Sequence, residues 1–171
     1  DLYCKMLSEA VKEAKGIHTM EDFETTIDLN MDAFIPDSYI SNEYQKLDIY
    51  KRIAGIETQQ DYDDMLEELL DRFGEMPKAV MNLLSIARLK ALAHRCYVTE
   101  IKQIGRDMKI TLYENAKLNP VGFPALMQKY RRGLQFKNEQ EPKILFTPEG
   151  SGNVLTALTD LLTELEQLVE E

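Results

Sequence analysis

Apolar residues recur along this chain with two different periods, and the change from one to the other divides it. Leu2, Met6, Leu7, Ala10, Val11 and Ala14 follow helical spacing and end near Gly16. Residues 17–22 are a polar linker, after which Thr25-Thr26-Ile27-Asp28-Leu29-Asn30-Met31 alternates as a half-buried strand does. Phe34-Ile35-Pro36-Asp37-Ser38-Tyr39-Ile40 reads as a Pro-interrupted turn carrying large apolar anchors. Ser41 is placed to cap the next helix, whose apolar side is Leu47, Ile49, Tyr50, Ile53 and Ala54 and whose pattern Gly55 interrupts. A third helix, from about residue 58 to 73, is expected to bury Tyr62, Met65, Leu66, Leu69, Leu70 and Phe73. It turns Asp61, Asp63, Asp64, Glu67, Glu68 and Asp71 outward. The fourth, from about 77 to 95, is apolar around almost its whole circumference and is expected to be the central core helix.

Beyond Cys96 the period shortens. Tyr97, Val98, Ile101 and Ile104 lead to Gly105-Arg106-Asp107, and Met108-Lys109-Ile110-Thr111-Leu112-Tyr113 alternates after it, the pattern of a β-hairpin with a short Gly-containing turn. Asn119-Pro120 starts a helix over 121–131 that Gly133 ends, and residues 143–146 form a short strand. A loop at 148–153 precedes the last helix, where Leu155, Leu158, Leu162, Leu165 and Val169 make a 3-4-3-4 seam. That seam is shorter than the roughly three heptads a coiled coil needs, so packing onto the sheet is expected. The expected class is α+β: a helical half, 1–96, packed with a smaller half, 97–171, of mainly antiparallel sheet and a long C-terminal helix. The whole is read as a single domain, with the strand at 25–31 joining the later sheet.

Composition narrows the function. The chain of 171 residues is 44% hydrophobic and 29% charged, ordinary for a globular protein, and has no run of about 18 apolar residues to span a membrane. It opens at Asp1-Leu2-Tyr3-Cys4 without a Met and is read as a domain cut from a longer protein. Cys4 and Cys96, far apart, point to free thiols in a cytoplasmic protein. His18 and His94 have no neighbours at metal-ligand spacing, and neither a metal nor a cofactor is expected. The net charge of −10 is uneven: residues 1–87 carry −11, 88–143 carry +7 and 144–171 carry −6. An acidic chain is a poor default nucleic-acid binder, but Lys102, Arg106 and Lys109 on the hairpin keep a nucleic-acid module as the alternative reading. Lys129, Arg131 and Arg132 near Tyr130 end a helix, where cations also complement its dipole.

No catalytic pattern is present. The loop at 148–153 lacks the Gly-Lys-Ser/Thr ending of a phosphate cradle, the many carboxylates have no tuning pocket, and no Ser stands in a Gly-x-Ser-x-Gly elbow. What stands out is Glu67-Glu68-Leu69-Leu70-Asp71-Arg72-Phe73-Gly74-Glu75-Met76-Pro77. Glu68, Asp71 and Arg72 are three and four residues apart and share one helix surface. Gly74 then stops the helix and Pro77 opens the next, with Phe73 anchoring the corner. A charged cluster beside a rigid corner suits docking rather than catalysis.

Several motifs occur here in a familiar order: Ala33-Phe34-Ile35-Pro36-Asp37-Ser38-Tyr39-Ile40, Leu47, Tyr50-Lys51-Arg52-Ile53-Ala54, Glu68-Leu69-Leu70-Asp71-Arg72-Phe73-Gly74, Pro77, Asn82-Leu83-Leu84 and Ile86-Ala87-Arg88-Leu89-Lys90. Over about residues 1–90 the chain resembles the C-terminal domain of bacterial transcription-repair coupling factors. Beyond that only the order of elements matches. The resemblance implies a non-catalytic regulatory domain of a DNA translocase that removes stalled RNA polymerase, the DNA being bound by the parent motor. It further implies docking on a UvrB-like module of the same parent chain, which masks the surface that recruits UvrA and restrains the motor. Glu68, Asp71 and Arg72 match the family's Glu-x-x-Asp-Arg element, which implies that they make this contact.

Overall fold

The computed structural model describes residues 23–150 and 152–170. The helix expected at 2–14, the linker at 17–22, Cys4 and His18 lie outside the described residues. In chain order the elements are β1 (Thr26–Asp28), α1 (Glu43–Ala54), α2 (Gln59–Phe73), α3 (Lys78–Arg95), β2 (Val98–Ile104), β3 (Asp107–Leu112), α4 (Phe123–Tyr130), β4 (Leu134–Lys137), β5 (Lys143–Phe146) and α5 (Val154–Glu166). Turns of 3-10 helix flank α4 at Pro120–Gly122 and Arg131–Gly133. This is the α+β class the patterning predicts. The described residues fall into two compact units, residues 30–91 and residues 23–29 with 92–170.

In the first unit each helix start is chemically marked. The cap of α1 is Asn42, not Ser41: its side chain accepts from the Gln45 N–H, 3.0 Å away. A cap oxygen accepts from the free N–H two or three positions on, and the backbone turns from extended to helical at 42, which gives that place to Asn42. Thr58 caps α2 in a reciprocal box with Asp61, which accepts in turn from the Thr58 N–H, an arrangement worth about 1 kcal/mol. The core joins Ile35 and Ile40 of the Pro36 turn, Ile49, Tyr50 and Ile53 of α1, Met65 and Leu69 of α2, and Val80, Leu83, Leu84 and Ala87 of α3. The Tyr50 hydroxyl oxygen accepts from the Ile35 N–H at 2.8 Å, tying the turn to α1. Tyr62 lies beneath the Arg88 guanidinium, 4.0 Å from its ring centre, at the edge of this core.

Two apolar expectations fail here. Leu47 is 43% exposed and Leu70 is 46% exposed. Both sit on the right period, but the arc each helix buries is narrower than its apolar arc. On α2 only Met65 and Leu69 are fully covered, with Tyr62, Leu66 and Phe73 packed at the margins.

The second unit is built on a five-stranded sheet of order β1-β2-β3-β5-β4. The strand expected at 25–31 is β1, which pairs parallel with β2, while every other pairing is antiparallel. Gly105 at φ 63 and Arg106 form the two-residue hairpin turn, for which a positive φ is required. Ile27, Ile101, Ile110 and Ile144 stand in register across neighbouring strands and are buried. The patterning misses β4, whose four residues offer only Leu134 and Phe136 as alternating apolar positions. The helix expected at 121–131 begins instead with the 3-10 turn, because Asn119 caps at the Val121 N–H. On α5 the buried set is Leu155, Leu158, Leu161, Leu162 and Leu165, so the seam is covered within its own unit, while Val169 lies past the helix in a bridge to Leu118.

The two faces of α3 give a test. Leu84 is fully buried and Met81 is 47% exposed. Leu84→Ala is expected to cost about 2–5 kcal/mol in denaturant unfolding, and Met81→Ala less than about 0.5 kcal/mol.

Candidate functional site

The last turn of α2 must satisfy carbonyl groups that have no partner in the helix. Gly74 ends it at φ 85 and ψ −161, and its N–H bonds the Leu70 carbonyl at 3.1 Å. This backbone region is open to glycine and costs other residues about 1–3 kcal/mol. The Tyr39 hydroxyl bonds the same end from the Pro36 turn. It donates between the carbonyls of Gly74, at 2.9 Å, and Leu69, at 3.1 Å, and its ring packs 5.8 Å from that of Phe73. Burial raises the Tyr39 hydroxyl above its ordinary pKa, so it remains a donor. Met76 is buried just past the turn, and the Pro77 carbonyl accepts from the N–H groups of Val80 and Met81 at 3.0 and 3.1 Å. Phe73, Gly74 and Pro77 thus lie together at the junction of α2 and α3, and Tyr39 packs and bonds against it.

On this corner Asp71 is exposed and has no partner among the described residues. Glu68 is engaged from two sides. Both Nη groups of Arg52, on α1, donate to its two carboxylate oxygens, and Arg72 Nη1 donates to Oε2 at 2.9 Å. Arg72 also lies over its neighbour, with its guanidinium carbon 4.9 Å from the Phe73 ring centre. The hydrogen bond from Arg52, followed by that from Arg72, holds the Glu68 carboxyl down to about 2, well below its ordinary 4.5. Glu68 is therefore less available to a partner than its place on the outward helix face implies. The residue missed in the sequence is Arg52. In the last turn of α1 a base reads as a complement to the helix dipole, and its partner sixteen positions on is set by how α1 and α2 pack.

The basic hairpin is assembled as its spacing implies. Lys102 stands opposite Lys109 on β2 and β3, and Arg106 is exposed in the turn between them. Asp28 is the partner of Lys102 on the other side, and neither β2 nor β3 contains an aromatic residue on which a base could stack. Nothing in its geometry raises the nucleic-acid reading. Elsewhere, Asn153 caps α5 through the Leu155 N–H, which accounts for the glycine-rich loop before it. Cys96 is buried, its thiol donates to the Leu162 carbonyl, and burial pushes it up to about 12, so it stays a neutral thiol.

Two measurements test the corner. Gly74→Ala is expected to cost about 1–3 kcal/mol although an added Cβ would meet nothing within 4 Å, because the penalty is in the backbone alone. For Glu68 the folded-state value is depressed, so its ion pairs stabilise fully above 4.5 and lose that contribution as pH falls through about 2. These are partly exposed pairs, so Glu68→Gln is expected to lose roughly 0.5–1 kcal/mol at neutral pH, with the difference from wild type closing in acid unfolding curves.

The family profile of the TRCF domain matches residues 29–123. The transcription-repair-coupling factor of Bacillus subtilis is 41% identical over 117 residues, 68% of this chain and 10% of that protein. That of Staphylococcus aureus (strain USA300) is 41% identical over 121 residues, 70% of this chain and 10% of that protein. The chain thus spans about a tenth of the length of the curated relatives it matches. A crystal structure of the C-terminal domain of transcription-repair coupling factor superposes with a TM-score of 0.73 at 24% identity, covering 86% of this chain and 97% of that one, and shows the same fold. The chain belongs to the TRCF domain family, a domain of transcription-repair coupling factors.

Proposed function

We propose that this domain is a regulatory latch of its parent coupling factor. It docks through the α2 corner on a UvrB-like module of the same chain, masks the UvrA-binding surface there, and restrains the DNA translocase until stalled RNA polymerase is engaged. The observation that carries this reading is the corner itself. Asp71 and Arg72 project from a helix end whose angle is held by Gly74, Tyr39 and Phe73, and no enzyme motif accompanies them. Such a site can present opposite charges at a fixed separation, which favours selective and reversible pairing over strong adhesion. A latch must open, and a coupling of about 1–3 kcal/mol between sites is enough to switch it.

Asp71 is the clean probe, because it is exposed and pairs with no described residue. In the full-length parent, Asp71→Lys is expected to raise UvrA affinity and basal ATPase activity about tenfold, equivalent to about 1.4 kcal/mol of lost docking. A folded variant with unchanged UvrA binding and unchanged ATPase activity overturns the proposal.

A further inference from the structure

The ion pairs around Glu68 contain more cationic capacity than that one carboxylate uses. An arginine carries five N–H donors and a carboxylate about four acceptor positions. Arg52 uses one N–H from each Nη on Glu68 and Arg72 uses one from Nη1, so three acceptor positions are filled while most guanidinium donors remain. Both arginines stay accessible, with side chains 43% and 40% exposed. Asp48, one turn before Arg52 on α1, adds its field but no hydrogen bond to Arg52 among the described residues. Glu68 in turn fixes where both guanidinium groups point, and Phe73 supports one of them from below.

We infer that Arg52 is a member of the docking surface, and that Arg52 and Arg72, spread about Glu68, together receive an acidic side chain of the partner. This rests on the docking reading above and specifies its chemistry. Glu68 becomes a positioning residue rather than the acid that meets a basic patch, and Asp71 is left as the only one of the two corner acids free to meet a base. The partner must then present a carboxylate against the α1 side of the corner and a cation against Asp71. Guanidinium groups already oriented by Glu68 lose less freedom on meeting that carboxylate than unpaired arginines would.

The test uses UvrA binding by the full-length parent, with Asp71→Lys as reference and thermal unfolding as a folding control. Arg52→Gln is expected to unmask UvrA about fivefold to tenfold. Arg52→Lys, which keeps charge but not the fork, should recover part of the masking. Glu68→Gln should unmask by no more than about twofold, because both cations remain. If Glu68→Gln unmasks as strongly as Asp71→Lys while Arg52→Gln does not, Glu68 is itself the contact. The inference then fails while docking stands. If none of the variants, Asp71→Lys included, changes UvrA binding, docking through this corner fails and the inference with it.

Discussion

The corner between α2 and α3 depends on a backbone that only glycine adopts readily, and the rest of the first unit is arranged around that stop. Residues of α3 are buried over most of its circumference, so α2 must turn sharply if Met65 and Leu69 are to share a core with Val80, Leu83 and Leu84. Gly74 makes the turn, and the Tyr39 hydroxyl donates between its carbonyl and that of Leu69. Tyr39 belongs to the Pro36 turn, whose Ile35 and Ile40 are in the same core, so the turn that fills the core also caps the helix end. Charged residues on that last turn are consequently held on a fixed frame, which long side chains on a mobile loop would lack.

Magnitudes separate the roles of the groups at this corner. A buried leucine of the core is worth about 1.5–3 kcal/mol through burial alone, whereas an exposed ion pair contributes about 0.2–1 kcal/mol. The Arg52–Glu68–Arg72 set is thus a minor part of the stability of the fold. Its larger consequence is orientation, because a fork pair between α1 and α2 fixes guanidinium groups that would otherwise sample many rotamers. Reversible docking is compatible with such a site, since selectivity comes from the placement of charge and the total strength stays modest.

Where local chemistry decides, the elements were legible. The Gly105 hairpin turn and the stop at Gly74 both rest on neighbours within a few residues. Elements set by packing were harder to read. Leu70 and Leu47 keep the helical period yet face solvent, because period gives the direction of an apolar face and not the width that neighbours cover. The strand β4 is four residues long and exists through its pairing with β5, which no local signal announces. Asn42 and Ser41 are both good caps, and a single residue of backbone register chose between them.

At the candidate site the same division holds. Glu68, Asp71 and Arg72 share a helix surface by spacing alone, and the break beside them follows from Gly74 and Pro77, so the sequence by itself determined the α+β class, the charged cluster and the helix stop next to it. Which of those charges remains available was decided only by tertiary structure. Arg52 reaches Glu68 because α1 packs beside α2, and Tyr39 reaches Gly74 because the Pro36 turn is seated in the core. The physical reason is range: caps, turns and periodicity act over three or four residues of backbone, while the ion pair that occupies Glu68 requires two helices to be placed first.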